Sequence, residues 1–419
     1  MRLKNLPQNI KVRLGTSFFN RMATSSVMPF MALYFSHEWN KIWAGVFLIV
    51  TVLITFIANL VGGYLSDRFK RKKILLMTST TNASMFFIMT ITLIPKEDLV
   101  WLFAIAYVIY MFSSSLGRPS MSAIIMDSTT KETRKVVYAL DYWLVNLSMA
   151  IGAAMGGLLY SDYQLELFII LTCTSTLIAI AYKLWLLEGS IQLLKQTHQN
   201  FIIDLLHNYK IALQDTRYVK LVLGFMFIVS AEFSLNSYIG VRLSETFEPI
   251  SLFGFQIGGV QMLSILNIEN MVLVVLLTFI VTKATNRLTN KSVIMVGLIV
   301  YGTGYVFLTS ANSWYMLLLF GLIGTIGELM YSPVFHTEQA NMIPEDKRGS
   351  YSAFSNVSFN GADIIARSTI IIGAFASPMM MSVYIGLIIA IGTSLIYFSL
   401  FYKEYINKKV QAEATRASQ

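Results

Sequence analysis

Cysteine and charge are the scarce components of this 419-residue chain. The single cysteine, Cys173, lies in an apolar run, which excludes an intrachain disulfide, and no metal-ligand spacing is present. Charged residues make up only 13% of the sequence, against about 25% in a soluble domain. No Gly-x-x-x-x-Gly-Lys-Ser/Thr run occurs, so the P-loop cradle for nucleotide phosphates is missing. The first residues, Met1 to Arg13, are polar and basic, and no small-residue cleavage site follows the apolar segment behind them. That pattern predicts an uncleaved first helix rather than a removable leader.

What the chain has instead is apolar length. Hydrophobic residues are 55% of the sequence and the mean hydropathy is +0.61. Roughly 20 apolar residues cross a bilayer as a helix. About twelve segments reach that length, at 14–35, 42–65, 73–94, 99–123, 137–159, 165–187, 218–241, 262–284, 292–310, 314–335, 349–374 and 380–402. The polar stretch from Glu188 to Arg217 separates two sets of six. The expected organisation is an all-α membrane protein with an N-terminal six-helix bundle at 1–187, a cytoplasmic linker at 188–217, a C-terminal six-helix bundle at 218–402 and a cytoplasmic tail at 403–419.

The formal charge of +9 does not call for nucleic acid, because the basic residues sit in short loops between spans. One side holds Arg2, Lys4, Lys11, Arg13, the Lys70 to Lys73 run, Lys131, Arg134, Lys135, Lys195, Lys210, Arg217, Arg287, Lys291, Lys347, Arg348, Lys403, Lys408 and Lys409. The other holds little beyond Lys41, Lys96 and Arg242. The positive-inside rule then predicts both termini in the cytoplasm, in a multi-pass protein of the plasma membrane. The halves also repeat. Arg134, Ala139 and Asn146 align without a gap on Arg348, Ala353 and Asn360, and internal repeats of this kind mark transporter architectures.

Three motifs carry a resemblance. The run Gly63-Tyr-Leu-Ser-Asp67-Arg68-Phe-Lys70-Arg71-Lys72-Lys73 resembles the loop 2–3 signature of the major facilitator superfamily, with Lys70 where the family has glycine. Asn286-Arg287-Leu-Thr-Asn-Lys291 is a weak echo of it. A glycine at 63 admits a close neighbouring helix. Asp67 suits a helix N-terminus or a nearby cation, and Arg71, on the same side of a helical turn, is placed to reach Asp127. With Arg68 and Arg134, these residues form an expected cytoplasmic gate or latch; the alternative is a positive-inside anchor alone. In the fifth span, Gly152-Ala153-Ala154-Met155-Gly156-Gly157 resembles the antiporter signature Gly-Pro-x-x-Gly-Gly of drug/proton exchangers, with Ala153 in place of proline. Ordinary small-residue helix packing through Gly152, Gly156 and Gly157 is the alternative. Finally, Arg134-Lys-Val-Val-Tyr-Ala-Leu-Asp141-Tyr-Trp143-x-x-Asn146-Leu-Ser and Gly327-Glu328-Leu-Met-Tyr331-Ser-Pro333 are similar to the LmrP-type multidrug/proton antiporters.

This resemblance implies a major facilitator fold of about twelve helices in two bundles, and export of lipophilic, often cationic drugs in exchange for protons. It marks Asp67, Asp127, Asp141 and Glu328 as the matching acids. The seventh-span acid of that type is absent, with Asn236 in its place and Glu232 one turn away. No acid lies between Met380 and Tyr402 in the twelfth span.

Charges inside spans are functional hypotheses by default. Arg21, Arg118, Asp141, Glu232, Glu328, Asp363 and Arg367 qualify. Glu328, Asp141, Glu232 and Asp363 are the candidates for proton coupling. Asp363 also has Arg367 at i+4, the favourable order for a static intrahelical pair. Arg21 and Arg118 serve either as counter-ions or to hold an anionic substrate. Tyr331 and Pro333 predict a helix bent at a cavity. The expected cavity set is Arg21, Arg118, Tyr142, Trp143, Asn146, Glu232, Asn236, Glu328 and Tyr331. The expected partners are a small amphiphile, protons and membrane lipids, with no cofactor, metal, nucleic acid or obligate protein partner and no enzymatic activity. Rival readings are an exporter or flippase of an endogenous amphiphile, peptide or metabolite, proton-coupled nutrient uptake, and a non-transporting receptor.

Overall fold

The computed structural model describes residues 7–94, 99–128, 131–187, 210, 212–252, 255–344 and 348–401. Among them are fourteen α-helices. In the first half they are α1 (Gln8–Val27), α2 (Met31–Glu38), α3 (Lys41–Arg68), α4 (Arg71–Thr92), α5 (Val100–Ser128), α6 (Lys131–Leu159) and α7 (Gln164–Trp185). The rest are α8 (Thr216–Phe233), α9 (Tyr238–Thr246), α10 (Gly259–Thr285), α11 (Asn290–Ser310), α12 (Trp314–Asn341), α13 (Arg348–Gly373) and α14 (Pro378–Leu400). Each of the twelve expected spans is present. Two of them are broken, so that α1 with α2 makes the first and α8 with α9 the seventh.

The breaks have local causes. Pro29 lacks the N–H that a helix interior needs, and the chain tightens into a 3₁₀ turn at Met28–Phe30. In the seventh span, the Ser230 and Ser234 hydroxyls donate back to the Phe227 and Ala231 carbonyls, at 2.7 and 2.5 Å. Such back-bonding competes with the helical ladder, and a 3₁₀ turn follows at Ser234–Asn236. Helix starts are set by side-chain caps. Asn40, Asp215, Thr289 and Ser377 accept from backbone N–H groups in the first turns of α3, α8, α11 and α14. An unanticipated antiparallel hairpin, β1 (Ile250–Leu252) with β2 (Phe255–Ile257), lies between α9 and α10.

Nine of the described helical segments are long and apolar enough to cross a membrane. The spans that miss this standard are α1 with α2, α6 and α13, which carry Lys11, Arg13 and Arg21, then Asp141, then Asp363 and Arg367. Arg118, Glu232, Glu269 and Glu328 lie in spans that meet it, so intramembrane charge is not confined to the polar helices.

The chain packs as two compact units, Met1–His198 with Gly240–Val272, and Gln199–Ile239 with Leu273–Gln419. These units do not coincide with the two sequence halves. Within the first, Lys41 Nζ meets Glu245 Oε2 at 2.7 Å, and a side chain at Gly157 would collide with Ser264. Both contacts hold the Gly240–Val272 segment against N-terminal helices.

Candidate functional site

In the first unit the site grows out of the α1–α6 contact. Ile10 and Leu14 pack on Val137, with Leu140 and Leu144 beside them. Arg13 shares the Ile10–Leu14 face of α1, and Asp141 lies one turn beyond Val137 on α6. The two meet as an ion pair, Arg13 Nη1 to Asp141 Oδ1 at 2.6 Å, with side chains 6% and 16% exposed. Sequence reasoning missed this pair because Arg13 was counted with the basic N-terminal segment. The helix begins at Gln8, six residues before the expected start at 14, and so places Arg13 inside it. Likewise α6 begins at Lys131 and not at the expected 137, which puts Asp141 about 15 Å along it at 1.5 Å per residue.

Arg21 lies two turns further along α1. It donates to Ser17 Oγ at 3.2 Å and is within electrostatic reach of Asp141, Arg13 and Arg118. Arg118 itself is exposed. The first unit therefore pairs Arg13 with Asp141 and sets Arg21 within reach of that pair and of Arg118. Of the other expected cavity residues here, Trp143 is exposed and Asn146 partly buried.

Further along the same interface, the fifth-span glycines form a packing track. A Cβ at Gly152 would strike the Met22 carbonyl, and one at Gly156 would strike Phe30 and the Ser26 carbonyl. Ser25 Oγ donates to the Met149 carbonyl, one turn before Gly152, at 2.9 Å.

The loop 2–3 motif is only partly described. The side chains of Asp67, Asp127, Arg134 and Tyr142 lie outside the described residues. Arg71 Nε donates to the Ser66 carbonyl at 3.4 Å, and the Arg68 guanidinium stacks 4.0 Å from the Tyr64 ring. Gly63 does not play the expected packing part. A Cβ there meets nothing within 4 Å, whereas one at Gly62 would collide with the Leu116 backbone on α5. The close approach needs the glycine one position earlier, which points at α5.

In the second unit, Glu232 stands in the last turn of α8 and Glu328 near the middle of α12. From the helix starts they lie about 24 Å and about 21 Å along their axes at 1.5 Å per residue. Both are partly buried, and Glu232 interacts electrostatically with Glu328. Tyr301 and Tyr305 of α11 and Tyr331 of α12 are within electrostatic reach of both carboxyls. Tyr331 is 2% exposed and packs edge-on against Tyr301, so it belongs to the core and not to an open cavity wall. Gly327 makes this possible, since any side chain there would strike the Tyr301 backbone. Tyr301 Oη also donates to the Ile228 carbonyl at 2.9 Å, one turn before Glu232. The tyrosines thus lock the helices that carry the two acids. Their signal in the sequence is the i, i+4 spacing of Tyr301 and Tyr305 in an otherwise apolar span.

Asp363 behaves as its spacing predicts. Arg367 Nε donates to Asp363 Oδ1 at 3.0 Å, and Arg367 Nη1 donates to the Asn236 carbonyl at 3.2 Å. That carbonyl lies in the 3₁₀ turn after Glu232, so Arg367 pins the helix break. Helix α12 contains Pro333 and extends from Trp314 to Asn341, six residues past its expected end at 335.

One acid was overlooked. Glu269 lies about 15 Å along α10 at 1.5 Å per residue. Its Oε2 is buried and has no hydrogen-bond partner among the described residues. The neighbouring Asn267 and Asn270 are the signal that could have found it, a polar interruption in the 262–284 run.

A pair of carboxyls held at mid-span can exchange one positive charge for another. Both cannot be ionised cheaply in an apolar setting, and a proton or a bound cation relieves the repulsion.

Several known transporters are similar to this chain. The chain is 26% identical over 380 residues to a Na(+), Li(+), K(+)/H(+) antiporter of Planococcus maritimus, covering 87% of this chain and 89% of that protein. It is 22% identical over 396 residues to an uncharacterized MFS-type transporter, YdeE, of Escherichia coli (strain K12), covering 92% and 94%. Its fold is similar to that of the peptide transporter POT in complex with sulfate, with a TM-score of 0.74 at 14% identity over 97% of this chain and 96% of that one. The Major Facilitator Superfamily profile matches residues 14–365, and the chain belongs to that family of membrane transporters.

Proposed function

We propose that the chain is a proton-coupled antiporter of the LmrP type that exports lipophilic, cationic compounds by alternating access. The observation that carries this reading is the Glu232–Glu328 pair, two carboxyls from different helices within electrostatic reach of each other and of the same three tyrosines. Glu232 takes the part of the seventh-span acid missing at Asn236. A substrate cation and a proton then compete for one pair, and that competition makes the exchange obligatory. Positive-inside asymmetry supports cytoplasmic termini, a plasma-membrane location and two six-helix bundles joined through the 188–217 linker. The latch of Asp67, Arg71 and Asp127 belongs to the same proposal.

A second reading is favoured by the Planococcus maritimus relative, whose name gives Na(+), Li(+) and K(+) as its exchanged ions. A carboxyl pair also suits a small inorganic cation. Everted vesicles separate the two. A fluorescent dye reports the proton gradient, and tetraphenylphosphonium, Na(+), Li(+) or K(+) is then added. Dissipation of the gradient by tetraphenylphosphonium supports drug export. Dissipation by the inorganic ions alone transfers the site to the second reading. If nothing cationic dissipates the gradient, both fail.

A further inference from the structure

The membrane-facing side of the first unit carries a site that the transport reading does not use. Helices α4 and α7 leave between them a groove of about 370 Å³. One wall is Leu76, Thr80, Ala83, Ser84 and Phe87, spaced i, i+4, i+7, i+8 and i+11. The other wall repeats that spacing with Thr172, Thr176, Ala179, Ile180 and Lys183. Both walls are single helix faces, so the groove is straight. Eleven residues at 1.5 Å make it about 16 Å long, close to half the ~30 Å thickness of a bilayer's hydrocarbon.

The groove is apolar despite its threonines. Thr80, Thr172 and Thr176 donate their hydroxyls to their own helix at the Leu76, Phe168 and Thr172 carbonyls, at 2.8, 2.9 and 2.8 Å. Their methyl groups are what remains for an occupant. Adjacent residues of the same helices, Leu75, Ile178 and Tyr182, are packed together in the core. At one end Thr90 and Thr172 bond across the helices at 3.0 Å. At the opposite end stands Lys183, exposed in the last turn of α7. Lys72 and Lys73 lie one turn before Leu76 in α4, at that same end. A chain-length apolar slot on a membrane-spanning surface, with cations gathered at one mouth, matches one kind of occupant.

We propose that this groove binds one anionic phospholipid, with an acyl chain lying along α4 and α7 and the headgroup phosphate on Lys183. Lys72 and Lys73 add to the positive field at that mouth. The leaflet follows from the orientation proposed above: the basic end faces the cytoplasm, where anionic lipids concentrate and each lysine near the surface adds about 1 kcal/mol of attraction.

The full-length chain in detergent can be titrated with dioleoylphosphatidylglycerol or dioleoylphosphatidylcholine and read by native mass spectrometry. One phosphatidylglycerol should be retained about fivefold more tightly than phosphatidylcholine. K183Q should erase that preference and K183R should keep it. K283Q, at an exposed lysine near the end of α10, should leave it unchanged. Filling the groove with A179F, or from the other wall with S84F, should lower retention of both lipids. Thermal melting verifies that each variant is folded. The proposal is overturned if the wild type shows no preference, if K183Q retains it, or if K183Q and K283Q lose it equally. Lipid retention is read without transport, so its failure and that of the exchange assay are distinguishable.

Discussion

The two units of this transporter differ in one pair of charged side chains each. In the first, Arg13 and Asp141 close on each other at 2.6 Å, and Arg21 adds further positive charge nearby. In the second, two acids of like sign, Glu232 and Glu328, are brought together among tyrosines. An opposite-sign pair is complete in itself, and breaking it leaves a buried charge with nothing to offset it. A like-sign pair is incomplete until a proton or another cation joins it. The second unit also holds a closed pair, Asp363 with Arg367 at 3.0 Å, so what sets it apart is the added like-sign pair. Under the proposed function, coupling belongs to the like-sign pair.

The comparison can be broken most directly at Glu328. Glu328→Gln should reduce pH-driven export in proteoliposomes by about 100-fold or more, ~2.7 kcal/mol of barrier. Glu232→Gln should match it, and the double variant should be no worse than either single one. Wild-type pH dependence in Glu328→Gln would make the pair structural and end the contrast.

Next in size is the closed pair. Arg13→Ala should lower folding stability by about 3–5 kcal/mol, since Asp141 is left buried. Asp141→Asn should cost less, because its amide still accepts from Arg13. Thermal unfolding in detergent checks both. Unchanged melting in Arg13→Ala would show that the first unit is not held by this pair.

A smaller effect tests the fit of α3 on α5. Gly62→Ala forces a Cβ onto the Leu116 backbone and should destabilise by about 1–3 kcal/mol. Gly63→Ala meets open space and should stay within about 0.5 kcal/mol of wild type. Equal melting temperatures for the two would contradict the packing described.

The smallest effect is expected at Glu269, whose carboxyl touches neither charge cluster by any contact described above. Glu269→Gln should change the export rate by only about two- to threefold, well under 1 kcal/mol. A loss as large as that of Glu328→Gln would mean that the first unit also handles protons, and the division between the units would need redrawing.

Much of the fold was legible in the sequence. Twelve apolar runs became twelve spans because a bilayer leaves a backbone little choice but to satisfy its own hydrogen bonds. Helix ends were less legible. Hydropathy marks where lipid stops, while helices α1, α6 and α12 continue past it by six residues at one end. The same mismatch hid the partner of Asp141, because an arginine outside the apolar run looked like a loop residue. The Asp363–Arg367 pair was legible because an i, i+4 contact is set by helix geometry alone. The meeting of Glu232 and Glu328, 96 positions apart, was not, since it depends on how α8, α11 and α12 pack. The β hairpin was missed because two three-residue strands leave no periodicity to read.

The ion pair of α1 and α6 also bears on how the protein is made. The first span is not among those apolar enough to settle in the membrane alone, and it carries Arg13 and Arg21. Its neutralising carboxylate, Asp141, is 128 residues downstream and leaves the ribosome four spans later. Until Asp141 is made, Arg13 has no carboxylate partner, so the α1–α6 ion pair forms only after the fifth span has been synthesised.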